Sequence, residues 1–441
     1  MPRKQDVTRW ISMALVAFGI MAACLSSLFL LYGGGNWQRA AQSQASSLSA
    51  TVVSELVGTS HYQLTQTQRG MSLPVALAKV FRLPISDPLA MLTSELPAPA
   101  GPNLPAVSAQ GSLMTSLAKW QAKSHHVELG WLPDESTQSS IQTINGNPGI
   151  NVVSPEWLQL WSPTGIVKNY SNPAVIKYAH QHHIAVWAMF DNQYSATLTH
   201  ALLTNQAARA QAVQAVAAAV RTDHLDGVNI DFENLYSSDQ AAFTQFVQAL
   251  HQALAKEHAV LSVDITPDIV PLQDNAAYFH AGLAAAANYV VLMAYDEHWS
   301  GDSVPGPVAD VPWVTRAVND LLDTGVPADQ LILGLPSYTQ FWHVYPDGSV
   351  SSQALADSAV PGILASHHST GTWNAQLGVY YARYPLSTGY EEVWYPGPRT
   401  WTDKLNLVSS NGLAGVAVWS LSLSNAHIWS TVVNALRQSI S

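Results

Sequence analysis

Polar side chains alternate with apolar ones from Val228 to Glu233, within the segment Asp-Gly-Val-Asn-Ile-Asp-Phe-Glu that begins at Asp226. On a β-strand, alternate side chains share a face, so Asn229, Asp231 and Glu233 should point to one side. Burial and a neighbouring carboxylate both raise the pKa of a carboxyl group. A general acid working near neutral pH needs a raised pKa, so Glu233 is a candidate acid. The alternatives are a polar layer inside a barrel or an acid that begins a helix.

The segments that follow Lys123 predict the elements that position this strand. Short apolar runs alternate with helix-like intervals, and parallel strands are usually connected by helices. Ser237-Ser238-Asp239 is the expected N-terminal cap of a helix. After it, apolar residues recur at helical spacing from Phe243 to Leu254. Eight runs predict an α/β fold with a (β/α)8 TIM barrel, whose active sites lie at the carboxyl ends of the strands. These runs are Val127 to Leu132, Ile150 to Ser154, Ile184 to Phe190, Gly227 to Phe232, Leu261 to Thr266, Tyr289 to Tyr295, Leu331 to Ser337 and Gly415 to Leu421.

The connection between the seventh and eighth runs, from Tyr338 to Leu413, is much longer than the others. It carries several tryptophans among Gly and Pro, and it predicts a small α+β insertion that forms one wall of a cleft. Pyranose rings stack on flat aromatic faces, so Trp394 and Trp299 are candidate sugar platforms. The alternative is that both belong to the core of the inserted subdomain.

The first 32 residues predict a short cytoplasmic tip and a transmembrane helix. Trp10 to Tyr32 is a run of 23 residues without a charge, preceded by Arg3, Lys4 and Arg9. Such a run spans a bilayer core of about 30 Å, and the positive flank favours the cytoplasmic side. We therefore expect a single-pass protein of the cell membrane with an extracytoplasmic catalytic domain. The alternatives are a secreted protein with a cleaved signal peptide and a lipoprotein processed at Cys24.

The remaining chain divides by composition into two parts. Residues 33–122 are rich in Ala, Ser, Gln, Thr and Pro and predict a low-complexity stalk. Residues 123–441 carry the strand and helix patterns and predict the barrel domain, with the insertion at about 338–413.

Charge and composition exclude several classes of function. The net charge is −11 and charged residues make up 11% of the chain, which leaves no basic surface for nucleic acid. Cys24 is the only cysteine, and the 16 histidines show no His-Glu-x-x-His spacing, so no metal site is predicted. The chain also lacks a Gly-x-Ser-x-Gly elbow and a phosphate-binding glycine loop, and no cofactor is predicted. Nothing in the sequence indicates an oligomeric state.

Four segments together resemble the family 18 glycoside hydrolases, which include chitinases and the spore-cortex-lytic germination enzymes. Asp226 to Glu233 is similar to the family signature Asp-Gly-x-x-x-Asp-x-Glu. The resemblance covers roughly Lys123 to the C-terminus and continues, in family order, at the last three strands. The matching motifs there are Met293-Ala294-Tyr295-Asp296, Gly334-Leu335-Pro336-Ser337-Tyr338 and Gly415-Val416-Ala417-Val418-Trp419-Ser420.

This resemblance implies a role for each residue. Glu233 would protonate the glycosidic oxygen, and the substrate's own 2-acetamido oxygen would act as nucleophile, in place of a second carboxylate. Asp231 would orient the acetamido group and Tyr295 would hydrogen-bond it. Trp419 would lie under the sugar, Asp226 would support the strand, and further substrate contacts would come from Asn229, Asp296 and Trp394. Without the resemblance, Tyr295 and Trp419 would be assigned to the barrel core, and Asp296 to a solvated loop.

Three segments resemble the spore-germination branch more than secreted chitinases. They are Asn229 to Asn234, Tyr295 to Trp299 and Pro305-Gly306-Pro307. Many chitinases have Asp where this chain has Asn229, and Trp where it has Phe232. The resemblance therefore implies a hydrolase of N-acetylglucosamine-containing polysaccharide, with peptidoglycan favoured over chitin. Two other readings stay open: a glycan-binding protein on the same fold that has lost catalysis, and a structural surface protein, because a fold does not fix a function.

Overall fold

The computed structural model describes residues 126–269 and 275–438. The strands are β1 (Val127–Leu132), β2 (Val152–Leu160), β3 (Val167–Asn169), β4 (Ala185–Asp191), β5 (Gly227–Asp231), β6 (Val260–Ile265), β7 (Tyr289–Met293), β8 (Leu331–Pro336), β9 (Tyr338–Val344), β10 (Val350–Ala356), β11 (Thr372–Asn374), β12 (Val379–Leu386), β13 (Gly389–Tyr395) and β14 (Gly415–Trp419). The helices are α1 (Thr137–Gly146), α2 (Pro173–Gln181), α3 (Ala196–Thr204), α4 (Gln206–Asp223), α5 (Gln240–Ala255), α6 (His280–Ala286), α7 (Val311–Asp323), α8 (Val360–Ser366), α9 (Pro398–Asn411) and α10 (Ala426–Gln438).

Eight parallel strands close into a barrel, as the sequence predicts. The order around the barrel is β1-β2-β4-β5-β6-β7-β8-β14, and β14 pairs with β1 to complete it. Strand β2 is longer than the predicted run, which ended at Ser154. It continues through a register shift between Glu156 and Leu158 and forms a hairpin with the antiparallel strand β3.

Two apolar layers hold the barrel together. The outer layer lies between the strands and the surrounding helices, and α5 contributes the predicted stripe, including fully buried Phe243 and Leu254. The inner layer fills the barrel with Leu129, Trp187 and other apolar side chains. Asp239, in the predicted cap segment, is the N-cap residue of α5, but its side chain makes no capping hydrogen bond. Its Oδ1 instead lies 2.7 Å from Nδ1 of His200.

A separate five-stranded antiparallel sheet, in the order β10-β9-β13-β12-β11, is inserted after β8. Helix α8 covers one face of this sheet, over a core that includes Phe341, Tyr384 and Val393. From the opposite face, Trp342 Nε1 donates a 2.8 Å hydrogen bond to the carbonyl of Gly306, in the loop between β7 and α7. The sheet occupies residues 338–395 of the predicted insertion, whereas α9 packs on α7 and α10 with the other barrel helices.

The predicted transmembrane helix within residues 1–32 and the predicted stalk at 33–122 lie outside the described residues. Across 126–269 and 275–438, none of the helices has both the length and the apolar character that crossing a bilayer requires.

Candidate active site

The site lies at the carboxyl ends of the barrel strands, around the last residues of β5. Asp231 ends β5 and pairs in register with Asp191 on β4, which pairs with Gln159 on β2. Gln159 Nε2 donates to Asp191 Oδ1 at 3.4 Å, so a polar row crosses three neighbouring strands. Glu233 follows β5 by two residues, which places it above this row.

Both peptide groups next to the Glu233 side chain are anchored. The Glu233 amide donates to Oδ1 of Asn192 at 3.1 Å, and Nδ2 of the same asparagine donates to the Glu233 carbonyl at 2.7 Å. The hydroxyl of Tyr278 donates to the preceding carbonyl, that of Phe232, at 2.8 Å. Asn192 and Tyr278 were not predicted as site residues; both are buried and act through the backbone. They fix the direction in which the Glu233 side chain leaves the strand.

Asn229, predicted to contact substrate, is closed off inside the barrel. Its side chain is fully buried, and its Oδ1 accepts hydrogen bonds from Trp131 Nε1 at 2.8 Å and Ser154 Oγ at 3.1 Å. Its Nδ2 donates to Ser262 Oγ at 2.9 Å and Asp264 Oδ1 at 2.6 Å. A side-chain amide has two donors and two acceptor positions, and all four are occupied. The structure therefore gives Asn229 a supporting place below the site.

Asp264 is an acidic residue of the site that the sequence analysis missed. It lies on β6, is 1% exposed, and faces the barrel interior beside Asn229. Burial, followed by the nearby charge of Asp231, raises the pKa of Asp264 well above its ordinary value. The sequence signal was an acid between Val263 and Ile265 in a mostly apolar strand, which is costly unless the acid has a partner or a use.

Tyr295 follows β7 and lies near the carboxyl groups of the site. Burial first, and then the charges of Asp264, Asp231 and Glu233, raise the pKa of Tyr295 well above its ordinary value. Its hydroxyl is therefore neutral and remains a donor at physiological pH. The ring makes an edge contact with Trp131 at 6.4 Å between centroids. The structure thus brings Tyr295 together with Asp231 and Glu233, which the sequence separated by more than 60 residues.

Trp419 and Asp296 lie at the border of this group. Trp419 ends β14, is half-buried, and contacts Trp131 edge-on at 5.8 Å between ring centroids. Asp296 has a φ of 63°, in the left-handed region that non-glycine residues rarely adopt. Its Oδ1 accepts a 2.5 Å hydrogen bond from the hydroxyl of Tyr338, the first residue of the inserted sheet. Asp296 therefore links the barrel loop to the insertion.

Two predicted residues lie apart from this group. Trp394 is on β13 of the inserted sheet, tilted against Tyr381 at 4.9 Å between ring centroids, and it lines a small cavity with Tyr338 and Lys404. Asp226 precedes β5 at the amino end of the barrel. Its Oδ2 accepts from the Val186 amide at 2.8 Å and contacts His180 Nε2 at 2.8 Å. Asp226 thus ties α2, β4 and β5 together, far along the strand from Glu233.

Exposed aromatic and aliphatic side chains surround the same end of the barrel. In the described residues, the large hydrophobic side chains that are exposed all belong to connections leading from the carboxyl end of a barrel strand to the next helix. They are Trp161, Ile166, Tyr170, Tyr236, Phe279, Trp299, Val304 and Tyr345. Aromatic faces of this kind suit the C–H groups of sugar rings.

Glycosyl hydrolases family 18 matches residues 119–423, which is more than half of the chain. The chain belongs to this family. Within the described residues, no group of three His, Cys, Asp or Glu side chains is placed to hold a metal ion.

Family 18 relatives include two Bacillus subtilis proteins and several solved structures. A protein described as the sporulation-specific glycosylase YdhD is 29% identical over 272 residues, which cover 59% of this chain and 64% of that protein. The cortical fragment-lytic enzyme of the same organism is 24% identical over 250 residues, covering 54% of this chain and 56% of the enzyme. The chain therefore matches less than two thirds of the length of either relative.

Solved structures show the same fold. A chitinase from Chromobacterium violaceum ATCC 12472 has a TM-score of 0.64 at 22% identity, covering 70% of this chain and 99% of that one. The spore cortex-lytic enzyme SleL of Bacillus megaterium QM B1551 has a TM-score of 0.62 at 19% identity, covering 71% and 74%.

Proposed function

We propose that the protein is a glycosidase that cleaves polysaccharide containing N-acetylglucosamine, by a retaining mechanism in which the substrate supplies the nucleophile. The observation that carries this proposal is the convergence of Glu233, Asp231 and Tyr295 at the carboxyl end of a family 18 barrel. Barrel enzymes place their chemistry at this end.

In the proposed reaction, Glu233 donates a proton to the glycosidic oxygen as the bond to the anomeric carbon breaks. The acetamido oxygen of the same sugar attacks that carbon, and the leaving sugar departs with the proton. Water then attacks the oxazolinium ion and gives a proton back to Glu233, so the anomeric configuration is retained. No protein nucleophile is needed.

Asp231 and Tyr295 are proposed to act on the acetamido group. A carboxylate at Asp231 stabilises the positive charge that develops on the ring formed by this group. The neutral hydroxyl of Tyr295 donates a hydrogen bond to the acetamido oxygen and aligns it for attack. Trp419 offers an apolar surface under the sugar, while Asn229 supports the strand from inside the barrel. Asp296 is proposed to contact substrate at the border of this group. Trp394 is proposed to contact it farther out, from the inserted sheet.

Peptidoglycan is the proposed substrate, ahead of chitin. Support comes from the relatives, since YdhD is described as sporulation-specific and another relative is named a cortical fragment-lytic enzyme. The exposed aromatic side chains around the site suit an extended polymer, which both glycans are.

We also propose that the N-terminal segment anchors the protein in the cell membrane, with the barrel outside. The 23-residue uncharged run with its basic flank supports this location. Protease treatment of intact cells tests it: the barrel should be degraded from outside, and the protein should fractionate with membranes. Recovery in the culture medium would favour secretion instead.

The activity test incubates the full chain with purified peptidoglycan and, separately, with chitin oligomers, alongside a Glu233→Gln variant. Mass spectrometry should detect muropeptides with new N-acetylglucosamine reducing ends for the wild type only. Cleavage of chitin oligomers alone would transfer the proposal to chitin. Binding of either glycan without cleavage would favour the hypothesis of a glycan-binding protein over that of an enzyme.

A further inference from the structure

Asp264 lies in a part of the barrel where an ionised carboxylate is poorly compensated. Its side chain is 1% exposed, and none of the ion pairs among the described residues includes it. Its Oδ1 accepts the 2.6 Å hydrogen bond from Asn229, whereas its buried Oδ2 accepts no hydrogen bond from the described residues. An ion in this position bears the desolvation cost, and the side chains that favour the ion by hydrogen bonding, Asn229 and Trp131, are both neutral.

The orientation of the Asn229 amide is fixed by its other partners. Trp131 Nε1 is a donor only, so the Asn229 atom that faces it must be the oxygen. The amide nitrogen therefore faces Asp264. An amide donor bonds a carboxylate more strongly, but it can also bond the carbonyl oxygen of a neutral carboxylic acid. The contact with Asn229 thus holds Asp264 in place in either protonation state.

Asp231 and Asp264 are close enough for each charge to affect the other. The titratable groups that face Asp264 are Asp231 on β5 and Tyr295 after β7. Neither group is positively charged in any protonation state. Asp231 is half-buried at the strand end, while Asp264 lies deeper. Two neighbouring carboxyl groups in unequal surroundings ionise in sequence, and the more solvated one ionises first.

We propose that Asp264 is a positioning residue that keeps its proton in the working protein, so that the negative charge shared with Asp231 lies on Asp231. This rests on the proposed function, in which Asp231 faces a cationic intermediate. An ionised Asp264 would favour protonation of Asp231 and remove that charge. Asp264 touches neither substrate nor reacting atoms, and it acts through Asp231.

The protonation state can be measured in the resting protein, without substrate. The full chain carries Asp357→Asn as background in every sample, because burial also raises the pKa of Asp357 to about 8. With ¹³C at the aspartate carboxyl carbons, one resonance should keep the chemical shift of a neutral acid through pH 7. This resonance should be absent from Asp264→Asn. A spectrum in which all aspartates are ionised at pH 7, or in which the neutral resonance persists in the variant, overturns the proposal.

A second variant keeps this test decisive if Asp264→Asn does not fold. In Asp231→Asn the neighbouring charge is absent, so the neutral resonance should titrate at lower pH, by about one unit or more. Ser262→Ala is the matched control, because it removes another partner of the Asn229 amide without removing a carboxyl group. Its neutral resonance should titrate as in the wild type. No downward shift in Asp231→Asn overturns the proposal.

Turnover distinguishes positioning by a neutral group from positioning by a charge. Asp264→Asn keeps a neutral acceptor for Asn229, whereas Asp264→Leu has a similar size and no acceptor. The asparagine variant should retain a kcat at least about tenfold above that of the leucine variant. Equal losses in two folded variants would contradict a neutral Asp264. If the wild type cleaves no glycan, the proposed function fails, and the carboxyl spectra still decide the state of Asp264.

Discussion

At the scale of single residues, hydrogen bonds fix the backbone of Glu233 and the carboxyl group of Asp296. Asn192 holds both backbone groups of Glu233, and Tyr338 holds the carboxyl group of Asp296. Gly227 is needed for close packing, because a Cβ there would lie 2.7 Å from the Trp187 ring and 2.8 Å from the Val260 carbonyl. Packing therefore constrains the signature motif near its start, at Gly227, whereas the proposed reaction constrains its end, at Glu233.

Replacing Glu233 with Gln should lower kcat on the cleaved glycan by about 100- to 10,000-fold, because the amide has no proton to donate. Glu257→Gln is the matched control, since Glu257 pairs with Arg221 on the outer helices and should leave the rate unchanged. Kinetics with circular dichroism as a check on folding measure the effect. A folded Glu233→Gln protein that retains wild-type turnover would exclude Glu233 as the acid.

Tyr295→Phe should lower kcat by about 10- to 100-fold, because it removes a hydrogen bond to a group that becomes charged in the reaction. The ring and its edge contact with Trp131 are retained, so the melting temperature should change little. Parallel kinetic and thermal measurements test this. An unaltered kcat would place the Tyr295 hydroxyl outside the reaction.

At the scale of elements, the inserted sheet meets the barrel at a buried group of charges. Lys404 on α9 is 4% exposed, and burial lowers its pKa to about 8. It faces Asp357 from the insertion, and Glu297 and Asp310 from the loop between β7 and α7. Burial raises the pKa of Asp357 to about 8 and that of Glu297 to about 7. Glu297, a member of this group, directly follows Tyr295 and Asp296 in the chain.

The raised pKa of Glu297 predicts the direction in which stability changes with pH. Between its ordinary value of 4.5 and its folded value of about 7, the folded state binds more protons than the unfolded state. The free energy of unfolding should therefore fall as pH rises through this window. In Glu297→Gln the fall should be smaller, which urea unfolding at several pH values can measure.

Asp357→Asn provides the comparison for this measurement. It should reduce the fall in unfolding free energy over a wider window, from about pH 4 up to about pH 8, because Asp357 has the larger rise in pKa. Profiles of both variants that coincide with the wild-type profile would show that neither carboxyl group is desolvated as the structure indicates.

At the scale of the whole molecule, the exposed aromatic side chains and the acidic site share one end of the barrel. Trp161 and Ile166, both 44% exposed, flank the turn between β2 and β3. Lys168 lies over the Trp161 ring at 5.3 Å from the centroid, so one face of this ring is already covered. We expect the other face to bind a sugar that extends beyond the proposed catalytic residues.

Trp161→Ala should raise KM for polymeric substrate about two- to tenfold, with a smaller effect on short oligomers that do not reach the hairpin. Ile166→Ala is the matched control, because it removes a similarly exposed side chain that has no flat face. Comparing KM for long and short substrates checks this. Equal changes for both lengths would show that Trp161 does not bind an extended chain.

The sequence by itself determined what depends on neighbours along the chain. Alternation along β5 placed Asn229, Asp231 and Glu233 on one face, and the count of apolar runs predicted the barrel. The same local pattern could not distinguish a side chain that faces substrate from one enclosed by other strands. Asn229 was therefore predicted to bind substrate, although its four hydrogen-bond positions are occupied.

Only the tertiary structure decided which distant residues complete the site. Trp131 lies 98 residues before Asn229, and Asp264 lies 35 residues after it. Asn192, which fixes Glu233, is 41 residues away from it. These contacts arise because barrel closure brings strands together in a fixed register, so an acid in an apolar strand gains meaning only from its spatial neighbours. For the same reason, Trp394 lies on the inserted sheet while Trp419 lies at the end of β14 and contacts Trp131.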